Sequence, residues 1–552
     1  MTANRIVHLV LLGDRKENIP WTLGNIFNVS KSPKAIADLV RDHAATDDSD
    51  GWLFWDGDLG VPNPATILHA LSLPADVLHA GLLLGLRGHP RLLDSVQPTW
   101  LFNCDPDPNK IATSWRISLR ACLVRTEVLR RMGSLLPDFQ NLDAAALEMG
   151  HRYLMYGVIV RHYPALLPAR YPVNSVRIPF EEECLFVFHR MGRNRSYRAI
   201  LQALITGHAS LKDVMNAFWS LRGRRSSLKP SAFREINPSA PVDLASRVSI
   251  LIPTLDRYDY LRKLLSQLRT QTIMPLEIIL VDQTAEAVRD RQLANEFKDL
   301  PLKILYLDRP GQCSARNAGL KISQGEYILF LDDDDEVPPD LIDSHLKSLS
   351  QFQCPVSCGV ADEVDAGALP EDFSRIRCTD VFPTNNTMIH RSALEVSGLF
   401  DVAYDRDYGD DGDLGMRMYL SGILMMLNPS VRVIHHHAGS GGLRAHGARV
   451  ITHAISRRRL FRRNIPSVAL IYQWKRYFTP SQVRERLRIA ILGTLSLYGS
   501  TSGKIFKFLV GILFLPHSLW KIRKNTQRAE QMLQRFPQIP MLEDPQTAAE
   551  TA

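Results

Sequence analysis

A chain of 552 residues exceeds what one hydrophobic core serves and predicts two or three domains. Its 45% hydrophobic and 22% charged residues are those of a globular protein rather than a disordered one, and its seven scattered cysteines exclude a disulfide framework. The formal charge of +8 directs attention to acidic partners, and its unevenness along the chain matters more than its size. A reduced, cytosolic compartment follows from the cysteine usage. Cys354 and Cys358 read as small buried hydrophobes, because no second pair stands at ligand spacing.

In chain order, the stretch through Val10 reads as a short strand and lacks the long apolar core of a signal peptide. Trp52-Leu-Phe-Trp-Asp-Gly-Asp58 reads as a strand ending in acids, and Cys122 to Gly133 as a strand turning into a helix. Both patterns recur in the same order, as Ile328-Leu-Phe-Leu-Asp-Asp-Asp334 and as Thr387 to Gly398, which predicts an internal duplication. The halves are not equivalent. Leu142-Asp-Ala-Ala-Ala-Leu147 stands where the second half has Gly409-Asp-Asp-Gly-Asp-Leu414, and 55 residues precede Asp56, against 85 between 247 and Asp332. Residues 1–220 are therefore expected to keep a fold and to lack its chemistry. A polar, proline-bearing stretch around Gly223 to Pro241 predicts a linker over 221–246.

Residues 247–445 alternate strands at Val248–Ile252, Leu276–Val281, Leu302–Leu307 and Tyr327–Leu331 with helices at Tyr258–Thr270 and Ser314–Ser323. This outlines a doubly wound α/β sheet. The fourth strand runs into Asp332-Asp-Asp-Asp335, four carboxylates that repel one another and are best neutralised by a divalent cation. An acidic turn capping the next helix is the simpler alternative. A second group, Asp410, Asp411 and Asp413, opens a helix and is followed by His435, His436 and His437. Capping needs one acid, so three acids with a histidine cluster point to catalysis.

From 446 to 540 the chain reads as a basic, partly apolar helical tail, and 541–552 as a disordered end. Arg457 to Arg459, Arg462-Arg463, Lys475-Arg476 and Lys521 to Lys524 surround apolar Phe508 to Leu515. No uncharged run reaches the roughly 18 to 20 residues of a spanning helix. Two readings stay open: a helix lying on an anionic membrane face, or a basic surface on a core-packed tail. No module for nucleic acid is present.

The motifs between Val248 and His437 resemble the inverting glycosyltransferases of family 2, which have the GT-A fold. Ile252-Pro-Thr-Leu-Asp-Arg257 resembles the family's opening signature, Leu280-Val-Asp-Gln-Thr284 its second-strand motif, and Gly311 to Gly319 its Ala-Arg-Asn-x-Gly helix start. Leu331 to Asp335 is similar to its DXD motif, Gly409 to Leu414 to the segment carrying the base, and Val433 to Ser440 to the segment that closes over the diphosphate. Asp410 replaces the usual Glu and Leu255 the usual Tyr; neither change removes a required group.

The resemblance implies a nucleotide-diphosphate sugar donor, a glycan or lipid-linked acceptor and Mg²⁺ or Mn²⁺. Pro253, Thr254, Asp256, Asp282, Arg316, Asp332 and Asp333 would bind the donor, with Arg316 pairing with phosphate or holding Asp282. Asp334, His435 and His437 would serve the metal, and Asp411, with Asp410, would supply the base. The expected location is cytoplasmic, with the inner membrane face as a peripheral site. Two alternatives are a two-site polymerase using Asp56 and Asp58 as well, and a non-catalytic sugar-binding scaffold. A nucleotidyltransferase would need a glycine-rich basic loop after its first strand, which Pro253 to Arg257 is not.

Overall fold

The computed structural model describes residues 5–13, 19–88, 103–167, 175–226, 230–243, 247–364, 369–442, 465–495 and 501–542. They fall into two units, one of Met1–Glu235 with Arg375–Thr379 and Tyr419–Leu424, the other of the remaining segments.

The first unit is built on strands β1 (Val7–Leu12), β2 (Ile26–Val29), β3 (Gly51–Asp56), β4 (Val77–His79), β5 (Ala112–Thr113), β6 (Ala121–Arg125) and β7 (Val160–His162). Their order is β2-β1-β3-β6-β4-β7-β5. β1 runs parallel to β2 and β3, β6 antiparallel to β3 and β4, and β7 parallel to β4. β1 and β3 are buried along their whole length, which is why both are nearly continuous apolar runs rather than alternating ones.

The second unit contains β8 (Val248–Thr254), β9 (Glu277–Asp282), β10 (Leu302–Tyr306), β11 (Tyr327–Phe330), β12 (Asp335–Glu336) and β13 (Val356–Glu363). After β14 (Arg377–Cys378), which belongs to the first unit, come β15 (Thr387–His390) and β16 (Met425–His435). The order is β10-β9-β8-β11-β15-β13-β16-β12. The first four are mutually parallel, β15 is antiparallel to β11 and β13, and β16 is parallel to β13. The α/β expectation is met, and the four strands anticipated in this part of the chain all form.

Set beside β9-β8-β11-β15-β13-β16, the run β2-β1-β3-β6-β4-β7 has the same spatial order, the same directions and the same chain order. Among the described residues the first unit has no counterpart of β10, in keeping with its shorter run to the acids. The repeated strand-helix motifs also end alike, on Gly133 at φ 67° and Gly398 at φ 77°, a left-handed backbone that glycine adopts without a Cβ penalty.

Unit boundaries differ from those read in the sequence. The first unit extends to Glu235 because Phe233 N–H donates to the Tyr156 carbonyl at 2.8 Å and Arg234 pairs with Asp76. The C-terminal helices are built into the second unit. The helix Val468–Tyr477 sends the Tyr472 hydroxyl to Asp401 and the Tyr477 hydroxyl to Asp413, each at 2.6 Å, and Leu399 N–H bonds the Pro540 carbonyl at 2.8 Å. Arg457 to Arg463 and the expected disordered end from 543 lie outside the described residues. All seven cysteines are buried.

The helix Gln312–Ile322 crosses β8 and β9 closely enough that a Cβ on Gly319 would meet the Leu251 side chain and come within 3.1 Å of Val281. Gly319→Val is expected to cost about 1–3 kcal/mol through overpacking, lowering Tm by several degrees in a thermal melt.

Candidate active site

The four parallel strands of the second unit place their C-terminal ends along one edge. The chain leaves β8 outward through β9 and β10, then returns to β11 on the other side of β8. Ligand crevices open at such a reversal. Here the cleft is lined by Pro253, Thr254, Arg257, Gln283, Gly311, Gln312, Arg316, Asp332 to Asp334, Asp405, His435 and His437, among others.

The four acids of the run occupy different environments, with Arg257 shared by Asp333 and Asp334. Asp332, partly exposed, pairs with Arg316 at 3.0 Å. Asp333 accepts Thr254 Oγ1 at 2.7 Å and Arg257 Nη1 at 2.9 Å; burial nevertheless lifts its carboxyl to about 7, against the pull of Arg257. Asp334 Oδ2 accepts the Ala438 amide at 2.7 Å. Asp335 turns inward, accepts the Asp332 amide at 2.8 Å, and is pushed well above the carboxylate range by burial and by Asp332.

Asp334 Oδ1 is the unspent group. It is buried and accepts no hydrogen bond, with Arg257 Nη1 at 3.2 Å and His435 Nε2 at 3.4 Å. Burial opposes ionisation of Asp334, but His435, Arg257 and the Ala438 amide outweigh it and hold the carboxyl well below its ordinary value. The same field, against the penalty of burial, raises His435 to about 11 through Asp334 and Glu363. One atom each from Asp332, Asp334 and His435 lies within 4.8 Å of the others. Two carboxylates, one oxygen left without a donor, and His435, which would give up its imidazolium proton to ligate, make up an oxygen and nitrogen set that would suit Mg²⁺ or Mn²⁺.

The three histidines, at and just after the end of β16, separate by partner. His435 and His437 share a side with Glu363, which pairs with both, whereas His436 turns away to Glu336 at 2.6 Å and packs on Tyr260. His437 adopts φ 51°, the turn that brings the following Ala438 amide onto Asp334.

The second acidic group opens the helix Asp410–Leu420. Asp410 is buried against Arg316 Nη1 at 2.8 Å and Gln312 Nε2 at 3.0 Å; burial with the adjacent Asp411 raises it to about 7 despite Arg316. Asp411 is half-buried, accepts its neighbour Gly412 N–H at 2.7 Å, and is raised chiefly by burial. Asp413 is structural, fixed by Arg417 at 2.9 Å and by Tyr477. Arg316 therefore joins the two acidic groups through Asp332 and Asp410 and does not hold Asp282. Asp282 is buried at the end of β9, its oxygens taking Tyr258 Oη at 2.7 Å and Thr284 N–H at 2.9 Å. Asp256 is exposed at φ 57°, its amide on Thr284 Oγ1 at 3.0 Å, and lies outside the cleft lining.

Sequence reading missed Arg257, Glu363, Gln312 and Asp405. Arg257 also bonds the Ser440 carbonyl at 2.9 Å, tying the glycine-rich segment after the histidines to the acids. Asp405 accepts Ser314 N–H at 2.7 Å and Ser314 Oγ at 2.6 Å, fixing the start of the Arg316 helix.

The first unit treats its acids differently. Asp56, in the place of Asp332, is matched by Lys31 at 2.9 Å and Arg120 at 2.8 Å, which hold it below its ordinary value against burial. Asp58 is largely exposed, with Lys31 at 3.6 Å.

Compared with known families, residues 249–391 match the family described as "Glycosyl transferase family 2". The second unit carries a family 2 glycosyltransferase domain. Relatives of this glycosyltransferase domain include the glycosyltransferase GlyA of Streptococcus pneumoniae, 30% identical over 116 residues (20% of this chain and 16% of that protein). The O-antigen biosynthesis protein RfbC of Myxococcus xanthus is 28% identical over 233 residues, covering 36% of this chain and 18% of that protein. The chain thus spans less than a fifth of these two relatives. Among solved structures, the mannosyltransferase PcManGT from Pyrobaculum calidifontis, in complex with GDP-Man and Mn2+, aligns at 18% identity and TM-score 0.35 over 53% of this chain and 88% of that one. S. aureus TarS 1-349 with UDP-GlcNAc aligns at 13% and 0.32 over 52% of this chain and 92% of that one.

Proposed function

We propose that the protein is an inverting, metal-dependent glycosyltransferase that moves a sugar from a nucleotide-diphosphate sugar to a carbohydrate or lipid-linked acceptor in surface polysaccharide assembly. The observation that carries this reading is the pairing, within a family 2 domain, of the Asp332, Asp334 and His435 cluster with a separate acid, Asp411, whose carboxyl burial raises above its ordinary value. The O-antigen role in the name of RfbC supports the polysaccharide part.

Mg²⁺ or Mn²⁺ held by Asp332, Asp334 and His435 would supply positive charge for a departing diphosphate. Pro253 and Thr254 shape the cleft beside it, and Arg316 fixes Asp332 relative to Asp410. Asp411 accepts the proton of the acceptor hydroxyl as its oxygen bonds the anomeric carbon. The bond from that carbon to the diphosphate oxygen breaks with its electron pair leaving on the nucleotide, and configuration inverts. Contact of Asp282 with the base would use a second lone pair of either oxygen.

The first unit is, on this reading, a degenerate duplicate whose acids carry their own counter-ions. A two-site polymerase predicts that both acidic motifs matter. Asp58→Asn is instead expected to leave transfer unchanged; loss of transfer on this exposed substitution would restore the two-site reading.

The deciding experiment is a panel of nucleotide sugars with Mn²⁺ or Mg²⁺, read by calorimetric binding and by nucleotide release. Metal-dependent binding of one donor followed by release is expected. Binding without release to any tested acceptor would favour a scaffold, and binding of no donor would overturn the proposal.

A further inference from the structure

Between Glu485 and Glu530 the chain has eight lysines and arginines and no aspartate or glutamate. Most of this stretch forms the helices Thr501–Leu513 and Leu515–Arg535. Two bonds span the turn between them, Phe514 N–H to the Val510 carbonyl at 3.1 Å and Ser518 N–H to the Phe514 carbonyl at 3.0 Å, on either side of Pro516. Helical spacing therefore carries through from one helix to the next.

Ser518, Ile522, Asn525 and Ala529 occupy one face and are buried within the second unit. The opposite stripe is Phe506, Leu509, Leu513 and Trp520, exposed by 57%, 58%, 76% and 56%. Phe506, Leu509, Leu513, Trp520 and Lys524 stand at offsets that bring all five within one narrow arc of the helix. Four large apolar side chains in such a stripe form a contiguous patch of the kind that marks an interaction surface.

Two features identify the occupant. The stripe passes from apolar residues directly into Lys521, Arg523, Lys524 and Arg528, so the partner must combine apolar depth with negative charge. Trp520 sits between the two, its ring 5.8 Å from that of His517 and 4.9 Å from the Lys524 ammonium. An exposed indole beside basic side chains is how helices seat at the headgroup level of a bilayer. No helix among the described residues is long and apolar enough to cross a membrane. We propose that this helical pair docks, in the plane of the surface, on a bilayer rich in anionic phospholipid, with Phe506, Leu509, Leu513 and Trp520 inserted and the lysines and arginines on the headgroups.

The inference does not depend on the transferase reading, since docking is measured without turnover. Full-length protein is floated with vesicles of phosphatidylcholine alone and with vesicles of mixed phosphatidylglycerol and phosphatidylcholine. Binding is expected only to the anionic vesicles, weakening as salt rises. Lys521→Gln with Lys524→Gln should lower vesicle affinity about fivefold per charge removed. Leu513→Ser with Trp520→Ser should abolish flotation while leaving the circular dichroism spectrum and Tm unchanged, because both side chains are exposed. Equal flotation with neutral and anionic vesicles, or no effect of either double variant, would overturn the proposal. So would a stable dimer in analytical ultracentrifugation that Leu513→Ser dissociates and that does not bind vesicles, which would assign the stripe to a second copy.

Discussion

Asp334→Ala is expected to weaken metal-dependent donor binding by more than about 100-fold, beyond the 10–100-fold typical for partners of a metal ligand. Two geometric facts set this size. Asp334 presents a buried oxygen that no donor satisfies, and its other oxygen is aimed by the Ala438 amide. Removing the carboxylate takes away a ligand and also the field that draws a cation to the site. Calorimetry with Mn²⁺ and the preferred nucleotide sugar would read the loss. A variant that bound donor and metal normally would remove Asp334 from the site. Thr254 and Arg257 hold Asp333 independently, so the same substitution should leave the strand ends folded, with Tm as the control.

Asp411→Asn is expected to lower turnover by about 10²–10⁴ while leaving donor binding intact. Asp410 cannot take over this role without releasing Arg316 and Gln312, whereas Asp411 makes only the local bond to Gly412. The pH dependence follows from the direction of the shifts. A base works ionised, and burial raises Asp411 and lifts Asp410 to about 7. Turnover should therefore rise with pH through the upper end of the carboxylate range and fall away below it, higher than the ordinary aspartate value of about 3.9. The two acids are neighbours, so the acidic limb reports the pair rather than one residue. An Asp411→Asn enzyme that kept wild-type turnover would reassign the base.

The central strands were legible because a strand buried on both faces reads as a nearly continuous apolar run, as Val248 to Ile252, broken only by Ser249, and Tyr327 to Leu331 do. The acids at their ends were legible for the converse reason: charge directly after such a strand has few structural uses. Partners were not. Arg257 meets Asp333 across 76 residues of chain, and Glu363 lies beside His435 only because β13 and β16 are in register there. Local spacing holds no record of either. Arg316 was read as pairing with phosphate or holding Asp282, and the second alternative fails because nothing in the helix start distinguishes Asp282 from Asp332. Asp256 was read as a ligand because it stands inside a motif, although its left-handed backbone directs it outward.

The salt bridges of Asp56 with Lys31 and Arg120 fix how many ligands one molecule should take up. Lys31 and Arg120 take both oxygens of Asp56, whereas Asp334 keeps a donor-free Oδ1, so titration of this two-unit chain is expected to saturate at a single divalent ion and a single nucleotide. The first unit then serves as a reference built into every molecule: it shares a strand order with its neighbour and adds nothing to the titration curve, so a stoichiometry of two would locate the surplus there.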